Sequence, residues 1–349
     1  DNLLEVMKEK IKVTIYNFII LIFIFSIFEM IFGYWFKKDN FGIHMRNERN
    51  KNWKTTSRFN DKEYNFFYKR NFYGFRGDEF DPKDVKIIFN GGSTSNQRYT
   101  PENLTIVGLI NKKFKKDGIN IEVYNAATNG KSLRGIIYDF NFWFKKIDNF
   151  KPQYIILYLG INERTLAHKL DEKQFDIRVK DKKIDQIKDY YKNNSFTYSK
   201  YIQIKNKYFP KNTSGYFLDY SDLYKDFSYF DYNQAKSRNF ELNNEEKLIL
   251  NQLERRLEIL KEIFSKERIK PIIITQVEYN GLSNKKLFLV NEFLKKFSIE
   301  NDIDIIKLDE MIKMELNDFY DKVHTTPSGS KRIADAIYPE LKKLLTKID

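Results

Sequence analysis

The chain has 349 residues, enough for one large domain or two ordinary ones, and it contains no cysteine. That excludes disulfide scaffolds, thiolate zinc sites and cysteine nucleophiles together, while 31 Phe and 23 Tyr exclude a chain too poor in apolar side chains to fold. The formal charge of +13, from 61 Lys and Arg against 48 Asp and Glu, does not point to nucleic acid. The lysines are interleaved with acidic residues rather than gathered in one block. Lys, Asn, Ile, Phe and Tyr are also prominent together, as A/T-rich codons would make them.

In chain order, the first feature is an apolar run, Val13–Phe36, bracketed by Lys12 and Lys37. At about 24 residues it is long enough to cross about 30 Å of hydrocarbon as a helix. Glu29 is its only charge, and Tyr34 and Trp35 ahead of Lys37 and Lys38 resemble an interfacial belt. The run is too long for an ordinary signal-peptide core, and no small-residue cleavage site follows it. The expectation is an anchor over residues 1–37, with membrane as its partner; mixed flanking charges leave its orientation open.

Residues 38–82 are polar and aromatic with little periodicity and read as a lead-in. From there, apolar runs alternate with amphipathic segments over residues 83–349. Strands are expected at Val85–Phe89, Ile119–Tyr124, Tyr154–Leu159, Pro271–Thr275 and Ile303–Leu308. Thr100-Pro101 is expected to open a helix closing at Gly118, and Thr326-Pro327 to open the last one, to about Leu345. Further helices are expected at Ser132–Ile147, Glu241–Lys266 and Leu287–Ile299. The alternation predicts an α/β fold with a five-stranded parallel sheet covered on both faces, interrupted by a Tyr- and Lys-rich insertion at about 165–240.

In such sheets the working residues leave the carboxyl ends of the strands. The first strand delivers Gly91-Gly92-Ser93-Thr94-Ser95, where two glycines leave the following hydroxyl uncrowded. The spaced glycines of a dinucleotide loop and the Gly-Lys-Ser/Thr of a phosphate loop are both missing. The second delivers Asn125 to Gly130 and the third Gly160-Ile161-Asn162-Glu163, sources of amide donors for a developing oxyanion. The last loop carries Asp321-Lys322-Val323-His324. A carboxylate three residues ahead of an imidazole can accept its Nδ1 proton and leave Nε2 facing a serine. His44 and His168, the other two histidines, have no such context.

With these blocks in order, the chain resembles the SGNH/GDSL hydrolase superfamily. Gly91-Gly92-Ser93 matches its first block, Gly130 the glycine of the second, Gly160 to Glu163 the G-x-N-D of the third, and Asp321 to His324 the closing D-x-x-H. Asn71-Phe72-Tyr73-Gly74-Phe75-Arg76-Gly77 is similar to a stretch preceding many membrane-linked members. The resemblance implies a three-layer α/β/α flavodoxin-like sandwich. It implies Ser93 as nucleophile, His324 as base and then acid, and Asp321 as its orienting partner. The oxyanion hole would comprise the Ser93 and Gly130 amides and the Asn162 side chain, with no cofactor and no metal. Two departures stand out: Glu163 replaces the usual Asp, and Gly92 replaces the Asp of G-D-S, as in many carbohydrate-acting relatives.

The implied function is a membrane-anchored, extracytoplasmic serine esterase removing O-acyl groups, acetyl above all, from a cell-envelope or exported glycan or another small ester. Two alternatives remain open: an O-acyltransferase in which a sugar hydroxyl replaces water, and a non-catalytic module of polysaccharide assembly or export. Arg76, Arg98 and Gln276 either face substrate or brace loops.

Overall fold

The computed structural model describes residues 2–36, 45, 48–59, 62–165, 183–217, 235–236, 241–278 and 285–346. Helix α1 (Asn2–Phe32) covers the apolar run as far as Phe32, and Gly33 to Phe36 follow it as a bend. Within it, Glu5–Phe32 is long and apolar enough to cross a membrane, with a mean hydropathy of 2.3 over its best window and none of that window buried. Thr14 and Ser26 turn their hydroxyls onto the carbonyls of Lys10 and Ile22, one turn back, which satisfies both without water.

The segment read as an aperiodic lead-in is instead a β-hairpin: β1 (Lys51–Phe59) and β2 (Lys62–Arg70) pair antiparallel from Lys51↔Arg70 to Phe59↔Lys62. The signal was present as alternation in Thr55, Ser57 and Phe59, which are buried, but small polar side chains carry most of it and hydropathy does not register them.

The main domain then runs in alternation. Strand β3 (Ile87–Gly91) leads to the one-turn helix α2 (Ser93–Asn96), then to α3 (Ile106–Lys116), β4 (Val123–Asn125) and α4 (Leu133–Tyr138). Thr100-Pro101 does not open α3. Pro101 is extended (φ −53°, ψ 144°), a single 3₁₀ turn follows, and Thr105 caps the helix through Gly108 N. The reason is local: the Arg76 guanidinium takes the Thr100 carbonyl at 2.6 Å, and Gln97 Oε1 takes Ile106 N at 2.7 Å. Helix α4 continues into a π-helical stretch, Asp139–Trp143, which seats Asp139 in the interior.

Strand β5 (Tyr154–Leu159) is buried throughout. The insertion supplies α5 (Lys183–Asn194), α6 (Phe196–Tyr208) and β6 (Lys211–Phe217), and β6 lies parallel to β1. The order of this small sheet is β2-β1-β6, so the segment before the main alternation and the insertion within it build one structure. The chain continues with α7 (Asn244–Glu267), β7 (Lys270–Thr275), α8 (Lys285–Glu300), β8 (Asp304–Ile306), α9 (Leu308–Met311) and α10 (Pro327–Leu345). Asn243 and Glu246 cap α7 reciprocally, and Thr326 caps α10 as expected.

The large sheet has the order β4-β3-β5-β7-β8 with every pair parallel. Numbered within the sheet this is 2-1-3-4-5, the flavodoxin-like order. Its period-two side chains feed two cores. Ile88, Ile155, Leu157 and Ile273 meet α4, α7 and α8 through Leu133, Leu257 and Leu294. Ile87, Phe89, Ile156 and Ile272 meet α3 and α10 through Ile110 and Ile337. The result is the expected three-layer α/β/α sandwich.

Glu29 joins α1 to this body. Its carboxylate accepts Phe196 N at 3.0 Å, Thr197 N at 2.9 Å, Ser195 Oγ at 2.8 Å and the Trp35 indole at 2.8 Å. The one charge of the apolar run thus satisfies free amides at the start of α6, where an anion is favoured.

Candidate active site

Ser93 sits where β3 gives way to α2. The double glycine before it is needed for close approach, not for left-handed backbone: Gly92 has φ −88° and ψ −153°. A Cβ at Gly92 would overlap Asn162 Nδ2, and one at Gly91 would overlap Ser95 Oγ. Helix α2 stops after one turn because Gln97 adopts φ 47°. That conformation frees its side chain to reach Thr325 Oγ1 (2.9 Å) and Ser330 Oγ (2.5 Å), tying the serine turn to the histidine loop.

The loop before α10 supplies the imidazole. His324 Nε2 lies 2.7 Å from Ser93 Oγ, and His324 Nδ1 lies 2.7 Å from Asp321 Oδ2. Asp321 Oδ1 accepts the amides of Val323 (2.9 Å) and His324 (2.7 Å), so a single carboxylate folds the turn and orients the ring. Burial raises the Asp321 carboxyl, but the His324 hydrogen bond and charge and the two amides outweigh it and hold the group below its ordinary value. With Nδ1–H committed to a carboxylate, Nε2 presents its lone pair to the serine hydroxyl. The Tyr320 ring stacks on His324 with centroids 5.5 Å apart and planes 8° apart, and Phe59 of β1 stacks on Tyr320 at 5.3 Å. The small sheet therefore buttresses the imidazole, a contact that residue spacing does not reveal.

The Asn162 side chain donates from Nδ2 to the Lys131 carbonyl at 2.7 Å, which fixes the amide plane. Gly160, at φ +147°, makes the turn that brings Asn162 round, and Ile161 N is held by Gln276 Oε1 at 2.6 Å. Gly130, at φ +71°, stands between Asn129, bonded to Asn96 Nδ2 of α2 at 2.8 Å, and Lys131, bonded to Asn162. Ser93, Gly130 and Asn162 thus belong to one knit of three loops. Glu163 braces this turn. Its carboxylate accepts Gly160 N (2.7 Å) and Leu133 N (3.1 Å), and burial raises its pKa against those bonds.

Four polar residues without an assigned role in the sequence hold this arrangement. Lys131 Nζ is buried, 2.5 Å from Asp139, 2.8 Å from the Ala126 carbonyl and 3.1 Å from Asn90 Oδ1, which also accepts Gly91 N. Burial works against both charges, lowering Lys131 and raising Asp139, and their mutual attraction opposes it. Arg70, fully buried, donates to the carbonyls of Glu48, Ala127 and Gly74 and to Asn96. Arg76 donates to the carbonyls of Asn96 and Thr100 and to Glu102. Gln276 joins the serine turn to the Asn162 turn through Thr94 Oγ1 (3.0 Å) and Ile161 N. Arg76 and Gln276 are therefore braces. Arg98 lies over the Trp53 and Tyr99 rings at 4.7 and 5.5 Å. His44 and His168 lie outside the described residues, as do Lys37, Lys38 and much of the insertion.

No known family description matches this chain, and no curated protein matches it. Solved structures are similar in chain trace. TesA has 11% identity and a TM-score of 0.43, over 74% of this chain and 99% of that one. A member of the lipolytic G-D-S-L family from Veillonella parvula has 14% identity and a TM-score of 0.41, over 76% and 100%. The acetyl xylan esterase AlAXEase has 15% identity and a TM-score of 0.39, over 74% and 100%.

Proposed function

We propose that the chain is a serine esterase of the SGNH type, held at a membrane by α1, that removes O-acyl groups, acetyl in particular, from a cell-envelope or exported glycan. The observation carrying this reading is the unbroken line from Asp321 Oδ2 through His324 to Ser93 Oγ, with 2.7 Å at both contacts.

In this mechanism Ser93 Oγ attacks the ester carbonyl carbon as its proton passes to His324 Nε2. Charge accumulates on the carbonyl oxygen, which rests on the Ser93 and Gly130 amides and the Asn162 side-chain amide. Collapse breaks the bond to the alcohol oxygen, which leaves with the proton from His324. Water, deprotonated by the same nitrogen, then releases the acid from acyl-Ser93. Asp321, already ionised, stabilises the imidazolium in both halves. Tyr99, in contact with Tyr320 at 6.2 Å, supplies a flat apolar ring near the triad, a surface suited to the C–H face of a sugar. A glycan outside the cell as substrate places the catalytic body on the extracytoplasmic side.

Labelling of the full chain with a fluorophosphonate tests the chemistry. The adduct is expected on Ser93 and absent in Ser93→Ala; an adduct elsewhere, or none, refutes the assignment. Acetate release from O-acetylated glycans, again dependent on Ser93, tests the substrate.

A further inference from the structure

At the exit of α1 lies a cavity of about 370 Å³ that the chemistry at Ser93 does not use. Its size falls within the ~300–1,000 Å³ of small-molecule sites. Aromatic side chains wall it: Phe32 and Tyr34 from the end of α1, Phe72, Tyr73 and Phe80 from the segment after β2, and Phe196 from α6. Ring contacts link them in pairs, Phe32–Phe196 at 5.3 Å, Tyr73–Phe80 at 5.4 Å and Tyr34–Phe72 at 6.5 Å.

Opposite charges share the same walls. The Glu79 carboxylate accepts Phe72 N at 2.9 and 3.2 Å, which leaves lone pairs for a second donor. Lys200 Nζ lies 5.6 Å from the Phe196 ring centroid and 3.3 Å from Gln203 Oε1. Ser199 is 7% exposed, and its buried Oγ has no hydrogen-bond partner among the described residues. Buried hydroxyls are ordinarily paired, so this one points to a group arriving from outside.

We propose that the cavity holds the headgroup of a zwitterionic membrane phospholipid, its ammonium against the aromatic rings and Glu79, its phosphate at Lys200, Ser199 and Gln203. Aromatic faces beside a carboxylate are the chemistry that recognises an ammonium. A cation with hydroxyl and amide donors is the chemistry that recognises a phosphate. The position agrees: Phe32 ends the apolar span and lines the cavity, which sets it at the depth where hydrocarbon gives way to headgroups. A purely anionic headgroup would set its charge against Glu79. The site rests on α1 being a membrane span and is independent of the chemistry at Ser93.

The test places the full chain in nanodiscs of equal parts phosphatidylethanolamine and phosphatidylglycerol and counts retained lipid by native mass spectrometry. Selective retention of phosphatidylethanolamine is expected, falling about tenfold in Glu79→Gln and in Lys200→Gln, as for loss of one charge-assisted hydrogen bond. Lys207→Gln, exposed on the same helix, should leave it unchanged. Equal retention of both lipids, or retention indifferent to Glu79→Gln and Lys200→Gln, overturns the proposal. Displacement of the lipid by millimolar O-phosphoethanolamine would reassign the site to a soluble ligand and overturns it too. A chain that fails to enter nanodiscs overturns the span and the site together; one that enters but keeps no phosphatidylethanolamine overturns the site alone.

Discussion

Gln276 and Thr94 meet side chain to side chain at 3.0 Å, although 182 positions separate them. The same Gln276 amide donates to the Tyr158 carbonyl and accepts Ile161 N, while the Gln276 backbone carbonyl accepts Asn291 Nδ2 at 2.9 Å. One buried side chain thus sets the distance between the serine turn and the turn carrying Asn162. In Gln276→Leu the Ile161 amide is left buried and unpaired, at a cost of about 1–3 kcal/mol. Thermal unfolding should report that loss. Misplacement of the reacting groups should lower kcat by up to ~10²-fold. Wild-type turnover with a lowered melting temperature would show that Gln276 braces the fold and not the site.

Asp321→Asn should lower kcat by about 10⁴-fold with KM little changed, because an amide no longer fixes the Nδ1–H tautomer. The pH dependence has a definite sign. The folded-state pKa of Asp321 is depressed, so its contribution to stability is present above the unfolded value, about 3.9, and is lost as pH falls through the lower folded value. The melting-temperature gap between wild type and Asp321→Asn should therefore be constant from neutral pH to about pH 5 and close below it.

On the proposed mechanism Asn162→Ala removes one donor to the oxyanion and should cost about 10²–10³ in kcat, close to the loss from one oxyanion-hole amide elsewhere. Labelling of Ser93 by a fluorophosphonate should survive at a reduced rate. If turnover stays within threefold of wild type, roughly 0.7 kcal/mol, the oxyanion is stabilised elsewhere.

Away from the site, Glu310 lies 2.8 Å from Lys236 and 2.9 Å from Lys295. Hydrogen bonds from these ammonium groups lower its pKa from 4.5 to about 2. The pair energy is present above the ordinary value of 4.5 and is lost as pH falls towards 2. Because solvent reaches the group, its worth is no more than about 1 kcal/mol. Glu310→Gln should melt below wild type at pH 7 and together with it near pH 2.

The absence of cysteine makes the orientation of α1 directly measurable, since any introduced cysteine is the only thiol. A membrane-impermeant maleimide applied to whole cells should label Lys331→Cys, on the catalytic body, and spare Glu9→Cys, at the other end of the span. The opposite pattern would put the catalytic body in the cytoplasm.

The three-layer fold was legible because parallel strands buried on both faces must be continuously apolar, as in Tyr154–Leu159, while their helices must be amphipathic. The order of the strand-end blocks was legible too, since backbone turns and reactive side chains demand particular residue types close together. The β-hairpin was not. Its buried positions include Thr55 and Ser57, and its third strand, Lys211–Phe217, comes from a segment more than a hundred residues away. The helix expected to open at Thr100-Pro101 starts later, at Ile106, because Arg76 and Gln97 take the backbone groups at its expected start.

By itself, then, the sequence determined what lies near in the chain: the apolar span, the alternation of strand and helix, the Ser93 turn and the three-residue spacing of Asp321 and His324. Only the tertiary structure decided what closes on what. It set the 2.7 Å approach of His324 to Ser93, the Tyr320 ring behind the imidazole, the buried Lys131–Asp139 pair beside Gly130 and the seat of Glu29 on α6. Each of these contacts is polar or aromatic, two of them between segments more than 160 residues apart, and each is dictated by shape and by the need to pair buried groups. Such needs leave no period and no local spacing for the sequence to display.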